Sequence, residues 1–280
     1  MNHLITIITP TYNCEKYIGE CLDSVRSQNL EHLVKHIVID GVSQDMTCSI
    51  IESFDNVEFI SEPDQGQSDA FNKGIIRAES PWIMLLDGDD ILLPGSLLRY
   101  VKLINEKSPD IVYGHQSFID KEANILKVNT SIKFKKRYAL NGLYIPPSSG
   151  LCFKSSVIKN QLFDVNHHYN MDTEWFLNLK KRISSGVISL PTTGFRIWEG
   201  SKTFSLTKKY SDDIEDESAI EEIKKERHML DKKYYTPYRD SISKKHLLFR
   251  TLIPVIIKVD YLYNKVIMKL KYLILSSISN

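Results

Sequence analysis

The first hundred residues alternate between short apolar runs and amphipathic stretches. The apolar, β-branched runs "LITIIT", "KHIVID", "VEFIS" and "WIMLL" are typical of buried strands. Helices are predicted between and after them, at "CEKYIGECLDSVRSQ", "DMTCSIIESF", "SDAFNKGIIRA" and "PGSLLRYVKLINE". This order predicts an α/β fold whose central, mostly parallel sheet is covered by helices on both faces.

A polar segment follows each of these four predicted strands. The segments are "PTYN", "DGVSQD", "EPDQGQSD" and "DGDD". Because ligands of open α/β sheets bind outside the carboxyl ends of the strands, we expect the four segments to line one crevice.

The last segment carries three carboxylates, Asp87, Asp89 and Asp90. In an extended backbone Asp87 and Asp89 point to the same side, where they repel each other unless a cation or a proton lies between them. Hard oxygen ligands with open positions suit Mg²⁺ or Mn²⁺, so a divalent cation site is predicted. The alternative is a solvated Asp–Gly turn.

The alternation becomes less regular after "DIVYGHQSFID", the fifth predicted strand. A hairpin turn is predicted at "KEAN", a strand and helix after "IPPSSG", an amphipathic helix at "MDTEWFLNLKKR", and strand and loop at "GVISLPTTGFRIWEGSKT". From Ser211 a charged segment, "SDDIEDESAIEEIKKER", indicates a surface helix or connector.

The segment 244–280 has the pattern of a basic amphipathic helix. At 100° per residue its cations fall in one sector: Arg250, Lys258, Lys265 and Lys269. Its apolar residues fall in a second sector: Leu248, Val255, Val259, Leu262, Val266, Leu270 and Leu273. Such a helix either lies on an anionic membrane surface or packs its apolar side against the domain, and the sequence leaves both open.

Composition narrows the class of protein. The 280 residues are 42% hydrophobic and 25% charged with a formal charge of +1, which predicts a globular protein without the basic field that nucleic acid requires. The four cysteines form no CxxC pair, so neither a zinc site nor disulfides are expected. No signal peptide or uninterrupted apolar span is visible, which predicts a cytoplasmic protein, at the inner face of the membrane if its tail binds lipid.

Four motifs together resemble the family 2 glycosyltransferases, inverting enzymes with the GT-A fold. They are "ITIITPTYN", "HIVIDGVSQD", "EPDQGQSDAFNKGIIRA" and "WIMLLDGDDILLPGSL", and the resemblance covers residues 4–203. It implies a GT-A domain at 1–205, with a nucleotide-sugar half (1–114) and an acceptor half (115–205), before a helical extension (206–280). It also implies a nucleoside-diphosphate sugar donor, usually with uridine, and a glycan or lipid-linked acceptor of bacterial surface polysaccharide synthesis.

The resemblance also assigns site residues by position. Those expected at the nucleotide sugar are Pro10, Thr11, Tyr12, Asp40, Asp69, Asn72, Lys73, Asp87 and Gly88. Asp89, with Asp87, would bind Mg²⁺ or Mn²⁺, and Asp90 would anchor the following loop. Asp40 would accept the imide N–H of the base, or else cap the next helix. Lys73 could equally be a surface residue, and Phe71 stands where many family members have arginine.

Asp172 is the candidate general base, because the family has an acidic residue at the start of the helix that closes the acceptor side. Met171 replaces the glutamate of the usual Glu-Asp pair, Asp172 could instead only cap the helix, and Glu174 is the fallback. Late contacts to acceptor or diphosphate are expected from Arg196, Trp198, Glu199 and Lys202.

Two other functions stay open on the sequence alone. Met171 and Phe71 are compatible with a non-catalytic, membrane-docked nucleotide-sugar-binding module. A strand followed by DxD also occurs in phosphohydrolases of the haloacid dehalogenase type, although there it lies near the start of the chain.

Overall fold

The computed structural model describes residues 3–199, 201, 217–238 and 249–278. The strands are β1 (Ile5–Thr11), β2 (Val34–Asp40), β3 (Val57–Ser61), β4 (Trp82–Leu85), β5 (Ile91–Leu92), β6 (Ile111–Ile119), β7 (Ile125–Asn129), β8 (Cys152–Lys154) and β9 (Ser185–Arg196). The helices are α1 (Ile18–Arg26), α2 (Thr47–Glu52), α3 (Gln67–Arg77), α4 (Ser96–Lys107), α5 (Lys136–Ala139), α6 (Ser155–Ile158), α7 (Met171–Asn178), α8 (Glu217–Leu230) and α9 (Phe249–Ile278). A π-helical turn, Asp231–Tyr235, continues α8.

The strands form one mixed sheet in the order β3-β2-β1-β4-β8-β6-β9-β5, with β7 paired to β6. β1 is parallel to both β2 and β4, and β2 is parallel to β3. β8 is antiparallel to β4 and β6, whereas β6 and β9 are parallel. The α/β class and the parallel arrangement of the first four predicted strands are therefore confirmed.

The apolar runs of the sequence become the centre of this sheet. Every residue of β1 and β4 is buried, as expected for parallel strands that helices cover on both faces. Helix α3 lies close against β1 at Gly74, where an added Cβ would approach Cγ2 of Ile8 to 2.4 Å. The close approach of α3 therefore requires glycine at this position.

Helix α7 is buried along most of its surface, so the predicted polar face is wrong. Met171, Glu174, Trp175, Phe176 and Leu177 are all buried. The reason is that the helix lies between the sheet and the C-terminal extension, whose Leu230 belongs to the same apolar cluster. The helical spacing of apolar residues cannot show that a distant segment of the chain buries a second face of the helix.

Helix α9 docks on the domain through a mixed face, on which Ile257, Tyr261 and Met268 join an apolar cluster with Ile132 and Tyr138, and Asp260 makes polar contacts. Asp260 accepts hydrogen bonds from Lys135 and Tyr138 at 2.9 and 2.5 Å and pairs with Arg137. The hydrogen bond from Tyr138, together with Lys135 and Arg137, holds the pKa of Asp260 well below its usual range. Lys265 donates to the Thr130 carbonyl.

The described residues of the predicted apolar sector of α9 are exposed, so the alternative in which this sector packs on the domain is wrong. They are Val255, Val259, Leu262, Val266, Leu270 and Leu273, at 49–60% of their surface, and Leu248 lies outside the described residues. Among the described residues, no helix combines the length and apolarity needed to cross a membrane.

Candidate active site

The carboxyl ends of β1 and β4 meet the loop before α7 in a crevice of about 880 Å³. The predicted site residues that line it are Pro10, Thr11, Tyr12, Asp87, Gly88, Asp89, Asp172 and Trp198. A larger depression of about 1190 Å³ lies at the opposite edge of the sheet, near the starts of the strands at Leu4, Val34 and Val57. The crevice, and not the larger depression, therefore brings the predicted chemistry together.

The acidic turn follows β4 directly and packs against the end of β1. At Gly88 an added Cβ would approach the carbonyl oxygen of Pro10 to 3.1 Å, so only glycine fits without displacement. Asp90 is buried and its Oδ1 accepts the backbone N–H of Arg196 at 2.8 Å, so it ties the acidic turn to β9. Its anchoring of the loop that follows stays a prediction. Asp87 and Asp89, in contrast, line the crevice.

The turn is electrostatically unfavourable by itself. Burial, followed by the charges of Asp89 and Asp87, raises the pKa of Asp90 well above its ordinary value. Burial also raises the pKa of Asp89, although the Trp198 hydrogen bond and the charge of Arg196 partly offset it. A cation beside Asp87 and Asp89 would relieve this repulsion.

The donor set fits a hard divalent cation. Gln67 donates to Oδ1 of Asp87 at 2.5 Å and Trp198 donates to Oδ2 of Asp89 at 2.9 Å. Such outer hydrogen bonds orient carboxylates for ligation. Two oriented carboxylates in a crevice match the oxygen ligands that Mg²⁺ and Mn²⁺ prefer.

Arg196 stabilises the acidic turn from inside the protein. It is fully buried, and its guanidinium donates to the carbonyls of Asp89, Asp120 and Lys121 and to the carboxylate of Glu20 at 2.7–3.1 Å. This scaffold role differs from the predicted contact with diphosphate or acceptor, because four of the five N–H donors are already used inside the protein.

The other three residues predicted to contact acceptor or diphosphate, Trp198, Glu199 and Lys202, differ in their positions relative to the crevice. Trp198 lines the crevice and its ring meets Tyr17 edge-on, with 4.9 Å between the ring centroids. Glu199 is exposed and lies outside the crevice lining. Lys202 lies outside the described residues.

Asp40 is fully buried beside the end of β1, where it pairs in register with Thr11. Its carboxylate accepts hydrogen bonds from the backbone N–H and hydroxyl of Ser43 and from the hydroxyl of Ser61. Because α2 begins only at Thr47, the alternative in which Asp40 caps that helix is wrong. The expected contact of Asp40 with the nucleotide base stays a prediction.

The polar residues predicted on α3 are engaged with the protein and do not line the crevice. Asn72 exchanges two 2.9 Å hydrogen bonds with the backbone of Phe163. Lys73 donates to the carbonyl of Pro63 and lies 3.5 Å from Asp69. Phe71 is a fully buried core residue, so the position of the family's arginine carries no charge here.

Asp172 is half-buried in the first turn of α7 and lines the crevice. Burial raises its pKa, although hydrogen bonds from the backbone and hydroxyl of Thr173 act against the shift. Glu174 is 2% exposed and accepts hydrogen bonds from Lys233 and Tyr234 at 2.9 and 2.6 Å. The geometry therefore favours Asp172 over Glu174 as the base.

Sequence reasoning missed several crevice residues, including Gln67, Gln116, His168 and Tyr169. The position of His168, four residues before Asp172, was a usable signal in the sequence. A second possible ligand set, Asp164, His167 and Glu174, lies apart from this crevice lining, and Lys233 already pairs with Glu174 there.

The acidic turn lies at the carboxyl ends of the parallel strands in a mixed α/β sheet, which is the arrangement expected of the GT-A class of glycosyltransferases. Residues 6–165 match the model of glycosyl transferase family 2, which is more than half of the 280 residues. The chain belongs to this family, as the sequence motifs predicted. The phosphohydrolase alternative is wrong.

Curated relatives agree with this assignment. The chain is 28% identical over 186 residues to an uncharacterized glycosyltransferase of Methanocaldococcus jannaschii, covering 62% of this chain and 63% of the relative. It is 26% identical over 188 residues to a PGL/p-HBAD biosynthesis glycosyltransferase of Mycobacterium bovis, covering 63% and 69%. The match thus spans less than two thirds of the first of these relatives.

Solved structures share the fold. The TarS fragment 1–349 of S. aureus in complex with UDP-GlcNAc gives a TM-score of 0.60 at 18% identity, covering 78% of this chain and 69% of that one. The mannosyltransferase PcManGT of Pyrobaculum calidifontis in complex with GDP-Man and Mn²⁺ gives 0.53 at 17% identity, covering 74% and 61%. At these identities the likeness shows the GT-A fold alone.

Proposed function

We propose that the protein transfers a sugar from a UDP-sugar to a hydroxyl of a glycan or lipid-linked saccharide, with inversion, in bacterial surface polysaccharide synthesis. The observation that carries the proposal is the single crevice in which the end of β1, the acidic turn and Asp172 meet. TarS, which shares the fold, was solved with UDP-GlcNAc, and this supports a uridine nucleotide. Residues 1–205 would form the catalytic domain and 206–280 its extension.

The donor would lie along the end of β1 and the acidic turn. Pro10, Thr11 and Tyr12 would hold the base, and Gly88 would let the backbone approach the ribose and diphosphate closely. Asp89 and Asp87 would hold Mg²⁺ or Mn²⁺, whose charge would stabilise the departing diphosphate. The Mn²⁺ in PcManGT supports this assignment.

Asp172 would act on the acceptor, on the side of the sugar opposite the departing diphosphate. As the acceptor oxygen bonds to the anomeric carbon and the bond from that carbon to the diphosphate oxygen breaks, the acceptor proton would pass to the Asp172 carboxylate. A single displacement of this kind inverts the anomeric centre. The raised pKa of Asp172 makes its carboxylate a stronger base than an ordinary aspartate.

The test is UDP release from a panel of UDP-hexoses, with and without Mn²⁺, using water as the default acceptor. We expect Mn²⁺-dependent release by the wild type and loss of release in Asp89→Asn and Asp172→Asn, while Glu174→Gln keeps the pH dependence of the wild type. Nucleotide binding without release, even with saccharide acceptors added, would instead indicate a non-catalytic binding module.

The exposed apolar stripe of α9 supports membrane contact. Val255, Val259, Leu262, Val266 and Leu270 recur at intervals of three and four residues on the side opposite the docked Asp260 face. A 30-residue helix is about 45 Å long, and helices with this pattern lie in the plane of a bilayer surface.

The charges of α9 match an anionic lipid surface. Its sequence holds five cations and a single acidic residue, Asp260, which is turned toward the domain. Lys258 and Lys269 are exposed beside the stripe, where they could pair with lipid phosphates. We therefore place the enzyme at the inner face of the cell membrane, beside a lipid-linked acceptor.

Vesicle co-sedimentation tests the membrane contact. Binding to vesicles that contain phosphatidylglycerol should fall at least about tenfold in the double variant Leu262→Asp, Val266→Asp. The matched controls are Ile76→Asp and Leu98→Asp, which are exposed by 63% and 62% on other helices. Equal binding of stripe and control variants would contradict the contact, and a monomer–dimer shift in the stripe variant would identify a second copy as the occupant.

A further inference from the structure

The loop that precedes α7 is held by a carboxylate from the C-terminal extension. Glu226 of α8 accepts the backbone N–H groups of three consecutive residues: His168 at 2.6 Å, Tyr169 at 3.2 Å and Asn170 at 2.9 Å. The side-chain amide of Asn170 donates to the same carboxylate at 2.9 Å. One side chain thus fixes three successive peptide groups.

This contact is strong for physical reasons. Glu226 is only 2% exposed. Burial alone would raise its pKa, but the hydrogen bonds from Asn170, His168 and Tyr169 outweigh burial and lower it, which favours the ionised form. Charge-assisted hydrogen bonds are about twice as strong as neutral ones, and a buried carboxylate without its donors is costly.

A second contact holds the chain just beyond Asp172. Lys233 and Tyr234, in the turn that continues α8, both donate to Glu174. Leu230 between the two contact points is buried in the core cluster that contains Trp175. Asp172 therefore lies between two points, residues 168–170 and Glu174, that the extension holds from one side.

We propose that Glu226 is a positioning residue that sets the place of Asp172 in the crevice, so that the C-terminal extension completes the active site. The inference rests on the proposed function, because it assigns Asp172 the role of base. Glu226 itself does not line the crevice, whereas His168, Tyr169, Met171 and Asp172 do. Its effect on the reaction is therefore transmitted through the loop.

The experiment compares Glu226→Gln and Glu226→Ala with Glu222→Gln in the full chain. Glu222 is the matched control: it lies one turn earlier on α8, and its carboxylate is 3.9 Å from Nε2 of His168 without the backbone contacts. The readouts are Mn²⁺-dependent UDP binding, the steady-state rate of UDP release from the best UDP-hexose, and hydrogen exchange of the amides at 168–170.

We expect kcat to fall about tenfold in Glu226→Gln, which keeps one acceptor oxygen, and further in Glu226→Ala, while UDP binding stays within twofold. Exchange at 168–170 should accelerate at least about tenfold in the same order, with the amides of β1 unchanged. The glutamine variant keeps the test usable if the alanine variant does not fold.

Two results would overturn the inference. One is faster exchange at 168–170 with wild-type kcat, which would make the contact merely structural. The other is an equal effect of Glu226→Gln and Glu222→Gln on kcat. Failure of the proposed function gives a different pattern, since the wild type itself would then bind or release no UDP.

Discussion

The two walls of the crevice are built in different ways. The wall formed by Thr11, Gly41 and Asp87 comes from the ends of neighbouring strands, and the register of β1 with β2 places Thr11 directly beside Asp40, the residue before Gly41. The wall formed by His168 to Asp172 is a loop whose backbone donors are satisfied by Glu226, 56–58 residues further along the chain. The first wall is thus fixed by the sheet, and the second by the extension.

Because of this difference, we expect the first wall to act mainly in donor binding and the second mainly in catalysis. Sheet-borne groups are held by many backbone hydrogen bonds and suit a donor site that must be preformed. A loop held by a few side-chain contacts can be altered without disturbing the sheet. We therefore expect substitutions in the first wall to affect nucleotide and metal together, and substitutions in the second to affect turnover alone.

The largest effect is expected at the acidic turn. Asp89→Asn should lower the rate of UDP release by about 10²–10³-fold, because it removes a charge that would hold the cation against the leaving group. Folding should be retained, since burial already disfavours the ionised form of Asp89 in the metal-free protein. Release assays with a circular dichroism melt check both points, and wild-type release would remove Asp89 from the mechanism.

The second wall is tested by Asp172→Asn. Loss of a general base should lower kcat about 10²-fold while nucleotide affinity stays unchanged. Because burial raises the pKa of Asp172, the base is lost as pH falls through a value above the ordinary aspartate value of about 3.9, and the acidic limb of the rate profile should lie there. A pH–rate profile of kcat measures this limb, and an unchanged limb in Asp172→Asn would contradict the assignment.

Arg196→Met tests the support beneath the first wall. The variant leaves the carbonyls of Asp89, Asp120 and Lys121 without their donor, so the free energy of unfolding should fall by about 2–4 kcal/mol. Arg26→Met is the control, because its ion pair with Asp23 is mostly exposed and should contribute little. Urea unfolding measures the change, and a stable Arg196→Met protein with weakened nucleotide binding would restore the predicted ligand contact.

The smallest effect is expected at Lys73. Its ion pairs with Glu62 and Asp69 are each 3.5 Å long, so Lys73→Met should change the free energy of unfolding by only about 0.5 kcal/mol. UDP affinity should change less than threefold, because the ammonium group already donates to the Pro63 carbonyl. A tenfold loss of affinity in a titration would show that Lys73 reaches the diphosphate.

The first wall was predictable because its signals are local. Apolar runs that end in polar residues located the ends of β1 and β4, and parallel pairing then placed Asp40 beside Thr11. The second wall was not predictable in the same way. Nothing in the pattern around Asp172 indicates that α7 is covered on both sides or that Glu226 meets the loop, since both depend on contacts between distant residues.

Helix α9 shows the same limit of prediction from local sequence pattern. Its helical spacing predicted the apolar stripe of α9 correctly, but the docked face combines Asp260, which meets Lys135 and Tyr138, with Ile257, which packs in an apolar cluster with Tyr138. Those partners lie more than 120 residues away in sequence. A helical period gives the faces of a helix and cannot decide which of them the domain will cover.

We propose that the acidic turn holds a divalent cation against a nucleoside diphosphate. Titration calorimetry of UDP into the wild type and Asp89→Asn, each with and without Mn²⁺, measures this role of the turn. We expect Mn²⁺ to strengthen UDP binding at least about tenfold in the wild type and to have no effect in the variant. Equal UDP affinity with and without Mn²⁺ in the wild type would contradict it.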